Sequence, residues 1–555
     1  MNFLHFKSKT ITSAAFLLAA TALASRVLGL VRDRILAGKF GAGDELDIYF
    51  AAFRIPDFLY NIVIAGAISA AFIPVFIALY TKNKKEAWAA ASNFLNVALF
   101  ILIALAAILA FAAPAIVPFV APGFDAEKIS QTSGMSRIMF LSPIFLGLSA
   151  IISGILHSFK RFFAYALAPI FYNLGIIFGA LVLVEYMGIY GLAWGVVLGA
   201  FLHFIIQVPT ALFSGFSWQG IFNIRDKYLR RIFSLMAPRA FGLAAFQINL
   251  WVITAIASTL AVGSVAVFNL ANNLQYIPIG IIGISFATAA FPSFARSASQ
   301  EKKDQFAYHV AAAMRMILFF VLPLSVLIFV LRAHIVRIIL GTGEFGWVDT
   351  RLTAAVLGIF CFGIFAHSLI PLLSRAFYAL QDTKTPVLIN TAGVLMNIAL
   401  SFAFVFWVFK NPVFVKFVSA FLNLEGIDNI SLLGLPLAFS LAGVFNLILL
   451  FYVFARHTGL KNRVSDFLVS QKIFFASIIA GLAAYGTLFV AEPLFDTQTA
   501  IGLFLQAGIA SIAGGAAYLA LMLIFRSPEL VSFWQMVRGK IRLSPYPHEH
   551  DPNGR

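Results

Sequence analysis

Charge is scarce in this chain, and acids are scarcer than bases. Asp, Glu, Lys and Arg make up 11% of its 555 residues, while 61% are hydrophobic; a soluble domain carries about 25% charged residues. The deficit excludes an ordinary water-soluble protein, and it leaves too little polar sequence for a large catalytic domain outside a membrane. Cysteine is almost missing. The single Cys361 sits in an apolar run and builds neither an internal disulfide nor a metal site. P-loop, nucleophile-elbow and zinc-type spacings are absent, which argues against ATP hydrolysis and leaves an ion gradient, the membrane potential or the substrate gradient to drive any transport. His203 and His367 have no carboxylate or cysteine neighbours in sequence, so neither a metal nor a cofactor is expected.

What the chain has in abundance is apolar runs. They lie near 12–38, 47–80, 86–112, 133–156, 164–185, 191–214, 236–262, 264–295, 305–331, 351–378, 385–409, 432–455, 472–492 and 499–525, which predicts an all-α polytopic membrane protein of roughly fourteen transmembrane helices. The start, with Lys7, Lys9 and Ala22-Leu23-Ala24, imitates a signal peptide. Apolar sequence resumes at Val27, however, and removing this helix would spoil an even count.

Net charge is +16, from 39 basic and 23 acidic residues. Alternate connections collect the bases: Lys82, Lys84 and Lys85; Lys160 and Arg161; Arg225, Lys227, Arg230 and Arg231; Arg296, Lys302 and Lys303; Arg375 and Lys384; Arg456, Lys461, Arg463 and Lys472. With both termini, that side holds about 25 of the 39, so both termini are expected in the cytoplasm. Most of the charge is thus a topology signal, pointing away from nucleic acid. Residues 219–235 and 526–542 mix Trp, Phe and Ile with Arg and Lys, as amphipathic helices on cytoplasmic headgroups do. The tail from Pro545 to Arg555 has the composition of a disordered segment.

Weak internal repetition suggests the architecture. Ser69-Ala-Ala-Phe-Ile-Pro74 matches Ala287-Thr-Ala-Ala-Phe-Pro292, and Ala168-Pro-Ile-Phe-Tyr-Asn173 matches Thr385-Pro-Val-Leu-Ile-Asn390, both about 217 to 219 residues apart. An offset of six spans keeps the two copies in one orientation. The expected organisation is two parallel six-helix lobes, 1–232 and 233–465, then two helices in 466–526 and a cytoplasmic tail, 527–555. Doubling of this kind belongs to transporters whose site lies between the halves.

Charges inside the apolar runs mark the candidate site. The first run contains Ser25-Arg-Val-Leu-Gly-Leu-Val-Arg-Asp-Arg34. A charge at mid-bilayer costs about 2.5 to 3.5 kcal/mol even on a lenient scale, so Arg26 and Arg32 should face a wet cavity or protein partners, whereas Arg32, Asp33 and Arg34 can instead end the helix at the interface. In the second run Asp47, Arg54, Asp57 and Asn61 form one polar stripe, on which Arg54 can pair with Asp57. The eighth carries Asn269, Asn272, Asn273 and Tyr276 ahead of Pro278, Gly280 and Gly283; the seventh adds Gln247, Thr254 and Ser258. Amide and hydroxyl stripes either line a cavity or hold helices together, and the spacing leaves both open.

The block Ser25–Asp33, continued by Phe40-Gly-Ala-Gly43, Asp47, Phe53-Arg-Ile-Pro56, Gly66-Ala67, Ser69 and Ala71-Phe-Ile-Pro74, resembles the MurJ/MviN family of lipid II flippases. The likeness returns at Gln247, Gly263-Ser264, Pro278, Gly280, Gly283 and Phe377-Tyr-Ala-Leu-Gln-Asp-Thr-Lys-Thr-Pro386, and covers nearly the whole chain. It implies the fold of the multidrug/oligosaccharidyl-lipid/polysaccharide exporters, with the last two helices forming a groove for a polyprenyl tail. It also implies transfer of lipid II, the undecaprenyl-diphosphate-linked disaccharide-pentapeptide, across the bacterial inner membrane for peptidoglycan synthesis. Arg26, Arg32 and Arg54 match the family's basic cavity positions, and Asp47 its acidic one. A diphosphate needs such cationic donors. The chain departs from the family where paired arginines give way to Tyr60 and Asn61, an acid to Ala65, and an arginine and a glutamate to Asn273 and Tyr276.

The resulting expectation is a lipid II flippase working by alternating access, its headgroup taken by Arg26, Arg32, Arg54, Asp47, Asn61, Gln247, Asn272 and Asn273. An exporter of another polyprenyl-linked glycan or of a drug is the near alternative. A polytopic glycosyltransferase is a further one, but the outer segments near 113–132 and 410–431 offer Asp125, Glu127, Glu425 and Asp428 without a constellation.

Overall fold

The computed structural model describes residues 11–62, 71–300, 302–427, 430–458, 464–497 and 499–537, and every regular element among them is helical. In chain order these are α1 (Ile11–Phe40), α2 (Asp44–Tyr60), α3 (Ile73–Tyr80), α4 (Lys84–Val120), α5 (Ala126–Met139), α6 (Leu141–Ser158) and α7 (Phe162–Phe178). They continue with α8 (Val184–Met187), α9 (Tyr190–Ile205), α10 (Val208–Phe213), α11 (Lys227–Ser258), α12 (Ser264–Pro278), α13 (Ser285–Ser299) and α14 (Lys303–Ile339). The last seven are α15 (Trp347–Ala379), α16 (Lys384–Phe406), α17 (Pro412–Leu422), α18 (Gly434–Thr458), α19 (Val464–Ala491), α20 (Ala500–Ile524) and α21 (Pro528–Val537).

Among the described residues, eleven helical stretches are long and apolar enough to cross a membrane, from Lys84–Val120 to Ala500–Ile524. They coincide with eleven of the expected spans. The other three begin at 12, 47 and 236 and contain α1, α2 and α11, which carry the polar and charged stripes. Residues 65–69, Lys7, Lys9, Lys461, Arg463, the tail from 545 and the 538–542 part of the amphipathic segment lie outside the described residues.

The contacts divide the chain into two compact units. The first runs to Leu270 and includes Ile339–Thr350 and Ile427–Leu432; the second takes Ala271–Ile338, Arg351–Gly426 and the chain from Leu433.

In the first unit, side-chain caps start the helices. Asn83 accepts from the backbone N–H groups of Lys85 and Glu86 at 3.1 and 3.3 Å, and Asp226 from those of Tyr228 and Leu229, both at 2.9 Å. Each satisfies N–H groups that a helix leaves open. Phe72, Phe76, Trp88 and Phe94 pack a buried aromatic core. α7 meets α9 through glycines: a Cβ on Gly175 would stand 2.3 Å from the Gly199 Cα, and one on Gly195 2.6 Å from the Gly179 Cα. Without a hydrophobic drive between helices in lipid, such small residues let backbones approach and gain dispersion contacts. The expected amphipathic helix at 219–235 is helical only from Lys227. Before it, the chain is a strap tied to α4 by amides, with Asn96 donating to the carbonyls of Gln219 and Ile221, both at 2.8 Å.

In the second unit, Pro278, Gly280 and Gly283 mark a real irregularity, a π-turn over Ile279–Ile284. A Cβ on Gly283 would lie 2.7 Å from the Ser368 Cα, so glycine there seats α15 closely. α19 packs along α20, and Tyr518 donates its hydroxyl to the Phe319 carbonyl of α14 at 2.7 Å. The segments expected on the outer side, near 113–132 and 410–431, contain much helix, with α4 reaching Val120, α5 starting at Ala126 and α17 occupying Pro412–Leu422.

Candidate functional site

The three arginines of the stripes meet different surroundings. Arg32 donates Nε and Nη2 to Asp33 Oδ1 at 3.0 and 2.7 Å, and Nη1 to Asn173 Oδ1 at 3.1 Å. Its charge is offset within its own helix, and its direction is fixed by α7. Asn173 is held in turn, its Nδ2 donating to the carbonyls of Pro169 at 3.0 Å and Ser25 at 3.4 Å. Arg34 reaches the Ile339 carbonyl at 3.3 Å, and it does not end the helix, since α1 continues to Phe40. Arg26 is half-buried and has no hydrogen bond or ion pair among the described residues.

Arg54 is not paired with Asp57. Its Nε donates to Thr254 Oγ1 at 2.7 Å and its Nη2 to Asn269 Oδ1 at 2.5 Å. Both acceptors are neutral and locally anchored: Thr254 Oγ1 donates to the Leu250 carbonyl at 2.9 Å, and Asn269 Nδ2 to the Val265 carbonyl at 2.7 Å. Because the Asn269 amide nitrogen is taken, its oxygen faces the guanidinium. The geometry orients Arg54 without cancelling its charge.

Asp47 does something else. It is buried, and its carboxylate accepts from the Gly263 N–H at 2.7 Å and the Ala266 N–H at 2.8 Å, closing the N-terminus of α12 from a neighbouring helix. A carboxylate suits this place, where unpaired N–H groups and the helix dipole both present positive charge. Asn61 is used locally, donating to the Asp57 carbonyl at 2.9 Å.

Within the first unit, then, Arg54, Thr254 and Asn269 come together, while Asp47 stands apart at a helix end and Gln247, half-buried, makes no hydrogen bond among the described residues. In the second unit Asn272 accepts from Gln275 Nε2 at 2.9 Å, and Asn273 is half-buried. Asn173 is the neighbour of Arg32 that charge-reading missed. The repeat contained the signal, because its counterpart Asn390 likewise accepts on Oδ1, from Asn446 Nδ2 at 3.1 Å. The two histidines have structural partners: His203 Nδ1 lies 2.7 Å from Ser149 Oγ, and His367 stacks on Phe439 with ring centroids 4.2 Å apart.

A family model described as "Lipid II flippase MurJ" matches residues 36–509. A probable lipid II flippase MurJ of Vibrio cholerae serotype O1 is 29% identical over 540 residues, covering 93% of this chain and 96% of that protein. One from Buchnera aphidicola subsp. Acyrthosiphon pisum is 32% identical over 386 residues, covering 68% and 74%. Among solved structures, a lipid II flippase MurJ in an inward closed conformation matches with a TM-score of 0.73 at 27% identity, covering 92% of this chain and 98% of that one. An inward-facing MATE-family multidrug transporter of the MOP superfamily has a similar fold, with a TM-score of 0.62 at 15% identity, covering 79% and 96%.

Proposed function

The chain belongs to the lipid II flippase MurJ family, and from that membership we propose that it carries lipid II from the cytoplasmic to the outer leaflet of the bacterial inner membrane for peptidoglycan synthesis. It is a multi-pass membrane transporter and not an enzyme. Both termini lie in the cytoplasm, and the working parts are two six-helix lobes, 1–232 and 233–465, with 466–526 receiving the polyprenyl tail.

Capture of the diphosphate falls to Arg26 and Arg54. The observation that supports this division is that Arg54 is held by two neutral oxygens and Arg26 by no described partner, whereas Arg32 already faces Asp33. An arginine that keeps its full charge and spare N–H donors in an apolar span is suited to a diphosphate, which demands both. Arg32 then sets the shape of the site through Asn173, and Asp47 sets α12, from which Asn269 aims Arg54. Gln247, Asn61, Asn272 and Asn273 add amide groups for the sugar and peptide. Alternation of the lobes, driven by an ion gradient or the membrane potential, moves the headgroup while the tail stays in lipid.

Complementation in cells depleted of their own flippase tests this. Arg26→Ala and Arg54→Ala are expected to fail at wild-type expression. Full rescue by both would remove cationic capture, and failure of the wild-type chain despite normal membrane insertion would remove lipid II.

A further inference from the structure

Asp57 is a carboxylate with no donor. At 1.5 Å per residue it stands about 20 Å along α2 from Asp44, a distance about two-thirds the thickness of a hydrocarbon layer of about 30 Å. Other carboxylates of the first unit that are withdrawn from open solvent have partners: Asp33 has Arg32, Asp47 the N–H groups of Gly263 and Ala266, and Asp349 those of Ala42 and Gly346. Asp57 is half-buried, and among the described residues its side chain accepts no hydrogen bond and forms no ion pair. Arg54, one turn earlier, lies within electrostatic reach of the carboxylate, but its hydrogen bonds go to Thr254 and Asn269 and it makes no direct ion pair with Asp57 among the described residues. Tyr60 and Tyr172 lie within electrostatic reach of the carboxylate, and neither donates to it. A carboxylate within an apolar span that no donor contacts directly is costly, so its open oxygens suit a cation from outside the chain.

We propose that Asp57 is a cation-accepting site, filled either by an ammonium group on the peptide part of the carried headgroup or by a monovalent metal ion. Arg26 and Arg54 then take the anionic end of a zwitterionic cargo and Asp57 its cationic end, or Asp57 takes the ion whose gradient drives the cycle. The ammonium form rests on the lipid II reading; the ion form does not.

The purified full-length protein separates the two. Binding is measured for lipid II with a free stem-peptide amine and for the same lipid acetylated at that amine; thermal stability without lipid is measured in sodium, potassium and choline chloride. If the cation is the cargo's, acetylation and Asp57→Asn each weaken binding about tenfold, the scale of one charge-assisted hydrogen bond, and acetylation costs nothing further in the variant. If it is a metal ion, acetylation has no effect, sodium or potassium raises the melting temperature over choline, and Asp57→Asn abolishes that rise. Asp57→Glu keeps whichever response the wild type shows, and the wild-type acetylation and salt comparisons stand even if the Asn variant folds poorly. The proposal is overturned if wild type ignores both acetylation and cation identity, or if Asp57→Asn matches it throughout. Lipid II binding that Asp57→Asn leaves intact defeats the site alone; an ion response without lipid II binding defeats the substrate reading alone.

Discussion

Gly263 donates its N–H to the buried Asp47 carboxylate at 2.7 Å while holding a φ of +83°. Both halves of that relationship are demanding. A Cβ on Gly263 would fall 1.9 Å from the Ala42 carbonyl oxygen, in a backbone region that side-chain-bearing residues avoid. Asp47 in turn answers two N–H groups at the start of α12 that nothing else satisfies. Gly263→Ala is therefore expected to be the more damaging change, with loss of folded protein by size-exclusion after extraction. Asp47→Ala, leaving two buried donors open, should cost about 1 to 3 kcal/mol for each unmet group and lower the melting temperature. Asp47→Asn, which can still accept one bond, should fall between wild type and Asp47→Ala.

Arg54 supplies the second prediction. If Thr254 and Asn269 orient it, the doubly substituted Thr254→Val, Asn269→Leu protein should still carry the charge and still bind lipid II, but loosely. Arg54→Ala should abolish binding, and adding the Thr254 and Asn269 changes to it should do no further harm to binding. Arg54→Lys keeps a charge yet cannot reach both oxygens with a rigid fork, so it is expected to resemble the Thr254, Asn269 variant. Equal binding by Arg54→Ala and wild type would end this account.

Much of this was legible in the sequence, and the reasons differ by residue. Apolar runs announced roughly fourteen spans, eleven of which recur among the described residues, because periodicity and length are local properties. The polar stripe of α2 was equally visible, but its partners were not: helical spacing allows Arg54 to meet Asp57, and only tertiary packing puts Thr254 and Asn269 nearer. Asp47 looked like a cavity acid because a carboxylate capping another helix leaves no mark at its own position. Asn173 was visible as half of a repeat, without any hint that it would hold Arg32. Side-chain type is written in sequence, whereas the donor it faces belongs to the fold.

The glycine contact between α7 and α9 gives a prediction about packing rather than chemistry. Gly175 and Gly179 face Gly191, Gly195 and Gly199 so closely that added side chains meet backbone, not flexible side-chain ends. Gly195→Val should separate the helices and shift Asn173, which sits between Arg32 and the α7 backbone. The expected result is a lower melting temperature together with weaker lipid II binding. Gly508→Ala, with nothing within 4 Å of its added carbon, should change neither. A Gly195→Val protein with wild-type stability would show that the close approach is dispensable.

The last described helix, α21, is held by a charge pair in an unusually dry place. Arg315 Nε on α14 lies 3.2 Å from Glu529 Oε1 on α21, with side-chain exposures of 14% and 5%, and the Ser527 hydroxyl donates to Glu529 Oε2 at 2.6 Å. Forming such a pair gains little over apolar packing, because desolvating both ions offsets most of their attraction; breaking it by removing one partner costs about 3 to 5 kcal/mol, since a buried charge is left behind. Arg315→Met should therefore loosen α21, seen as faster proteolysis within Pro528–Val537 in otherwise intact protein. Glu529→Leu should do the same from the other side. Combining them removes both charges and fills the space with apolar atoms, so the double variant should regain much of the protection that either single change loses. Additive losses instead would mean that the two side chains hold α21 through separate contacts, and that the 3.2 Å approach contributes nothing of its own.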